Sequence, residues 1–156
     1  MIKPAAMKIH IRPWTAQDQT VARQLILAGL GEHWGYIDDT RNPDVDDIEA
    51  HYNRQGHLFV VAEAGVEIVG TGALVYVQAD TMRMVRVSVH KGWRRLGIGR
   101  ILVEHLVAAA RQRGARRVVV ETTRGWHDAI SLYQACGFIQ YAEDIENVHL
   151  MLELEA

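Results

Sequence analysis

A single strand–helix–strand crossover constrains this chain more than any other feature. Val85, Val87 and Val89 alternate in a strand pattern, and Val118-Val119-Val120 is a continuous apolar run. Between them, from Gly97 to Arg113, Ile98, Ile101, Leu102, His105, Leu106 and Ala109 share one helical face, and Gly114 closes it. A connection of this length returns the second strand parallel to the first and places a helix across the sheet. The continuous valine run further predicts a strand covered on both faces.

The remaining pattern fills in the sheet. Residues 8 to 12 alternate and end at Pro13, a short first strand. Apolar residues from Asp18 to Leu30 follow a helical period, with Gly29 and Gly31 at its end. Residues 31 to 44 read as a loop and Val45 to Gln55 as a second, acidic helix. Leu58 to Ala64, Glu67 to Gln78 and Met82 to His90 read as an antiparallel meander. Asp128 to Cys136 forms a short helix stopped by Gly137, and Phe138 to Tyr141 and Val148 to Leu154 are the last strands. The expected class is α/β: a mixed, mostly antiparallel sheet of about seven strands flanked by about four helices.

Composition narrows the role. A chain of 156 residues is expected to form one domain, and a net charge of −2 gives no reason to expect nucleic-acid binding. No apolar run is long enough to span a membrane, and the first residues lack the apolar core of a signal peptide, although Met7 offers a second start. One cysteine, Cys136, excludes an intrachain disulfide and fits a reducing, cytoplasmic setting. Eight histidines are scattered without ligand spacing, so no metal is expected.

The loop between the crossover's first strand and its helix carries the chemistry. His90-Lys91-Gly92-Trp93-Arg94-Arg95-Leu96-Gly97-Ile98-Gly99-Arg100 brings three arginines and spaced glycines to a helix N-terminus. Glycines let backbone N–H groups crowd around anionic oxygens, and the helix dipole adds positive potential there. A dinucleotide fingerprint would need a third glycine where Leu102 stands. A P-loop would need Lys-Ser/Thr where Arg100-Ile101 stands.

Arg94-x-x-Gly97-x-Gly99 after Val87-x-Val89 resembles the acyl-CoA-binding motif of the GNAT superfamily of N-acetyltransferases. Ala129-Ile130-Ser131-Leu132-Tyr133-Gln134-Ala135-Cys136-Gly137-Phe138 resembles a second segment of that family, and the element order matches over nearly the whole chain. The resemblance implies acetyl-CoA as co-substrate. Val87 and Val89 would meet the pantetheine amides, the amides from Arg95 through Leu96, Gly97, Ile98 and Gly99 to Arg100 would cradle the pyrophosphate, and Arg94 would add a side-chain contact. It further implies direct attack of a primary amine on the thioester in a ternary complex, with Tyr133 serving the departing thiolate.

Glu121, at the C-terminal end of the valine strand and twelve residues before Tyr133, is the candidate base. Glu32, His33, Trp34, Tyr36, Asp38 and Asp39 fall where the family builds acceptor pockets, and acids there would suit a cationic amine. Trp126 stands where the family often has an asparagine; it can pack on the pantetheine arm or line the acceptor pocket, but it accepts no hydrogen bond. Cys136 reads as a small core residue. The acceptor is a small-molecule or peptide amine, and the resemblance admits a homodimer. Two other functions stay open from sequence: a non-catalytic acyl-CoA-binding module, and transfer to a protein N-terminus.

Overall fold

A computed structural model describes residues 8–35 and 42–154. β1 (Ile9–Pro13) leads through a 3-10 turn into α1 (Gln19–Trp34). After α2 (Pro43–Asp46) and a π-helical turn (Glu49–Asn53) comes the meander β2 (Leu58–Ala64), β3 (Glu67–Gln78) and β4 (Thr81–Val89). Then follow α3 (Ile98–Gln112), β5 (Arg117–Thr123), α4 (His127–Ala135), β6 (Ile139–Glu143) and β7 (Asn147–Glu153). One sheet orders them β1-β2-β3-β4-β5-β7-β6. Its β4–β5 pair is parallel, as the crossover requires, and its other pairs are antiparallel.

Alternation along β2 divides the core. Val60, Ala62 and Ala64 face the cluster built with α3, α4 and β5, including Leu102, Leu106 and Val120. Phe59 and Val61 face the opposite cluster with Ile26 of α1, Val45 of α2 and Tyr52 of the π-helical turn. Burial on both faces accounts for the unbroken apolar run Phe59-Val60-Val61-Ala62 of β2. The start of α1 is anchored by buried Asp18, which accepts two hydrogen bonds from Arg12 at 2.7 and 2.8 Å and one from the Thr15 N–H at 2.8 Å.

Three expectations change. α1 runs on to Trp34 and is capped by Gly35 at φ 81°, so the segment read as a loop from residue 31 begins as helix. Gly29 serves packing there: a Cβ would lie 3.0 Å from Ser88 Oγ, so its absence lets α1 approach β4. The acidic helix expected over 45–55 is instead α2 and the π-helical turn, separated at Asp47. On α3 the buried face is Ile98, Leu102, Val103, Leu106 and Ala110. It is rotated from the expected stripe because the helix packs on β3 and β4 together, leaving Ile101 40% exposed.

The feature that positions the site is a split in the sheet. β4 and β5 pair only at Thr81–Arg117, Met82–Val118 and Arg83–Val119. Past that point Arg86 adopts φ 57°, and the register of β4 against β3 slips between Thr71 and Ala73. The Thr71 hydroxyl donates to the Arg86 carbonyl at 2.8 Å and holds the bulge. A left-handed non-glycine residue costs about 1–2 kcal/mol. The bulge bends β4 away from β5, opening a wedge between two parallel strand ends.

Candidate functional site

A cavity of about 950 Å³ occupies the wedge, walled by α1, the π-helical turn, β3, β4, β5 and α4. Val87 and Val89 line it from β4, whose backbone on this side has left β5. The next loop forms an anion cradle. Arg95 at φ 64° and Gly97 at φ 81° are both left-handed, which turns successive N–H groups to one side. Gly97 caps α3, and the first helical bond of α3 runs from the Ile101 N–H to the Gly97 carbonyl. The amides of Ile98, Gly99 and Arg100 are therefore available to a ligand. Gly99 is also a packing point, since a Cβ would lie 3.2 Å from Leu132 Cδ2 of α4. The side chain of Ile98 is buried, so only its amide faces the cradle. Leu96 is exposed, and Arg100 pairs with Glu104 one turn along α3 at 2.7 Å.

The last turn of α1 bridges the mouth of the cavity. Arg94 donates through both terminal nitrogens to Glu32, one of them at 3.1 Å, and through Nε to the Val89 carbonyl at 3.1 Å. The Arg94 guanidinium holds the Glu32 carboxyl below its usual range. Beside this pair, His33 stacks on Trp126 with ring centres 3.8 Å apart, and Trp34 meets Trp126 edge-on at 5.8 Å. Trp126 and His33 line the cavity, whereas Trp34 stands behind them and is 57% exposed. Glu32 is thus engaged by Arg94 rather than turned to an acceptor. Tyr36, Asp38 and Asp39 lie outside the described residues.

Tyr133 and Glu121 both reach the cavity wall. Tyr133 projects from α4 with its ring packed against Phe138, and burial pushes its phenol up, with Cys136 adding to the shift. Among the described residues its hydroxyl has no hydrogen-bond partner, and the residue lines the cavity. On β5, Val118 and Val120 point into the α3 cluster, so Glu121 points to the α1 side. Its carboxylate lies 3.7 Å from Nδ1 of His149, the residue directly opposite on β7. His149 Nε2 is 3.2 Å from Asp144. Cys136 lies off the cavity wall, and burial raises its thiol. Among the described residues, no group of three or more His, Cys, Asp or Glu is placed to hold a metal, and no helix is long and apolar enough to cross a membrane.

The α1-side wall carries residues that sequence reasoning passed over. Arg86 donates to Asp44 at 2.9 and 2.6 Å and to Asn42 at 3.2 Å, and the Tyr52 hydroxyl donates to Asp44 at 2.6 Å. Burial alone would raise the Asp44 carboxyl, but the bonds from Arg86 and Tyr52 outweigh it and hold the group below its usual range. Arg83 lines the same wall without an ion pair among the described residues. A signal for this wall existed in the sequence. Met82 and Met84 give way to Val87 and Val89 at odd positions on the same α3-side face, the change of phase that a bulge produces in a strand.

Comparison with known proteins agrees with this geometry. The model of the Acetyltransferase (GNAT) family matches residues 14–138. Human N-acetyltransferase 8B is 30% identical over 135 residues, covering 76% of this chain, which spans 60% of that relative's length. The N-acetyltransferase YjgM of Escherichia coli K12 is 28% identical over 142 residues, covering 85% of this chain and 84% of its own. A GNAT family acetyltransferase from Elizabethkingia anophelis, solved with acetyl-CoA bound, superimposes with a TM-score of 0.72 at 20% identity. That match covers 94% of this chain and 98% of the other. The split between β4 and β5, the anion cradle at α3 and the family match coincide in one stretch of sequence, and the chain belongs to the GNAT family of acetyltransferases.

Proposed function

We propose that this chain is a single-domain, cytoplasmic N-acetyltransferase that moves an acetyl group from acetyl-CoA to a primary amine by direct attack. The observation that carries the reading is the cavity at the β4–β5 split. Its wall carries a buried phenol, Tyr133, and a carboxylate, Glu121, and reaches Arg94, directly before the turn whose left-handed residues Arg95 and Gly97 lead into α3. The residues present fit the co-substrate: the Arg95–Arg100 turn offers amides to a pyrophosphate, and the free edge of β4 offers backbone partners to an extended amide-bearing arm. Acetyl-CoA supplies the acetyl group as a thioester.

The chain's own residues then have three tasks. Val87 and Val89 hold the arm in the wedge, so that the thioester lies between Tyr133 on one side of the sheet and Glu121 on the other. Glu121 takes the first proton, the one that an ammonium must lose to become a nucleophile, and His149 Nδ1 lies 3.7 Å from its carboxylate. Tyr133 donates a hydrogen bond to the sulfur as the carbon–sulfur bond breaks. A thiol ionises near 8.5 and an ordinary phenol near 10, and burial lifts this phenol further. Tyr133 therefore keeps its proton and stabilises the thiolate, which takes up the second amine proton, the one lost as the amide forms. The carbon–nitrogen bond forms as the carbon–sulfur bond breaks, and Cys136, off the wall with a raised thiol, carries no acetyl group.

Substitution at the base tests this reading. Glu121→Gln is expected to lower kcat/KM for the amine about 10- to 100-fold near pH 7. The deficit should shrink as the pH rises towards the amine's own pKa, near 10 for an alkylamine, because more acceptor then arrives already neutral. A deficit independent of pH, or none, would remove Glu121 from the base role.

A further inference from the structure

We infer that the acceptor is an amine that also carries a carboxylate, such as an amino acid, and that Arg83 is the residue that selects it. The inference rests on the transferase reading above and names its substrate class.

Charge on the α1-side wall carries the argument. Two of the acids that line this side are already matched, Glu32 by Arg94 and Asp44 by Arg86 and Tyr52, and the third, Glu121, is the base of the reading above. The other lining acid, Asp128, belongs to α4 on the far wall. Among the described residues Arg83 lines the cavity with no ion pair. Its strand position aims it correctly. Met82 and Met84 point into the α3 cluster, so Arg83 points to the α1 side, the side that Glu121 faces. Arg83 pairs with Val119, and Glu121 follows two residues later on the same face of β5. Strand geometry then sets the Arg83 and Glu121 Cα atoms at least about 8 Å apart, room for one small molecule between a cation and a base.

His57 lines the same cavity as Arg83. His57 Nδ1 accepts the Tyr76 N–H at 3.1 Å, so its Nε2 carries the proton, and burial keeps the ring's pKa low. A cationic acceptor without an acid group would meet an unmatched guanidinium here. A carboxylate meets a fork-shaped donor made for it. The acids near α1 had pointed the other way in the sequence, towards a cationic amine, because sequence does not show that Glu32 is engaged by Arg94.

The test measures thiol release from acetyl-CoA by the full chain with each protein amino acid, with the C-terminal amide of each, and with spermidine and tyramine. At least one amino acid is expected to exceed its own amide by about 30-fold in kcat/KM. Arg83→Gln should collapse that ratio towards one, chiefly through KM for the amino acid, and Arg83→Lys should restore part of it. Arg83→Glu should invert the preference. Amides, spermidine or tyramine used as well as amino acids, or a ratio unaltered in Arg83→Gln, would overturn this inference and leave the transferase reading standing. No thiol release with any amine would overturn both.

Discussion

Tyr133→Phe is expected to lower kcat about 100- to 1000-fold while leaving KM for acetyl-CoA within a few-fold of the parent value. The substitution removes one oxygen from a ring that packs on Phe138 and is almost wholly buried. Fold and donor binding should survive, because the hydroxyl makes no bond within the described protein that would be lost. What disappears is a hydrogen bond formed only as the sulfur gains charge, so the loss belongs in kcat and not in binding. Steady-state kinetics with a good acceptor, together with the urea midpoint of the variant, read the two effects separately. An unchanged kcat would remove Tyr133 from the reaction.

The second large effect is on stability. Arg86→Ala leaves the Asp44 carboxylate half-buried with only the Tyr52 hydroxyl as a close donor. Removing one partner of such a pair is expected to cost about 3–4 kcal/mol. For a domain of this size that corresponds to a fall of roughly 10 °C in Tm. Because Asp44 is held below its usual range in the folded protein, its contribution is present above the unfolded carboxylate pKa, near 4. It is lost as the pH falls through the folded value. The difference in Tm between the parent and Arg86→Ala should therefore narrow below about pH 4. Asp44→Asn in the Arg86→Ala background should recover part of the loss, since it removes the stranded charge. Additive damage in the double variant would contradict the assignment.

Much of this fold is written locally. The crossover, the meander and the cap glycines Gly114 and Gly137 depend on neighbours within a few turns, and period and turn chemistry reveal them. Gly29 shows the limit. In sequence it reads as a helix end, yet it is an approach point between α1 and Ser88 of β4, and no local rule distinguishes the two. The donor half of the site was legible for the same reason that the crossover was: residues 87 to 100 are contiguous and end on a helix. The acceptor half was not. Arg83 and Arg86 of β4, Asp44 of α2, Tyr52 of the π-helical turn and His57 before β2 lie far apart in the chain and meet only in the folded wall. The pairing of Glu32 with Arg94 joins residues far apart in the chain, and no local pattern in the sequence reveals it.

The bulge links these two halves physically. By bending β4 from β5 it opens the wedge of the candidate site, and it turns the Arg86 side chain onto Asp44 in the α1-side wall of the same cavity. The strain of one left-handed arginine is offset by the Thr71 bond and the Asp44 pair.

The most direct measurement is amine-dependent release of free thiol from acetyl-CoA, followed with the full chain while both substrates are varied. The account predicts release that requires the amine, with intersecting initial-velocity patterns as a ternary complex demands. Tight binding of acetyl-CoA with no amine-dependent release would contradict it and leave a module that binds the thioester without using it. Parallel patterns would contradict direct attack.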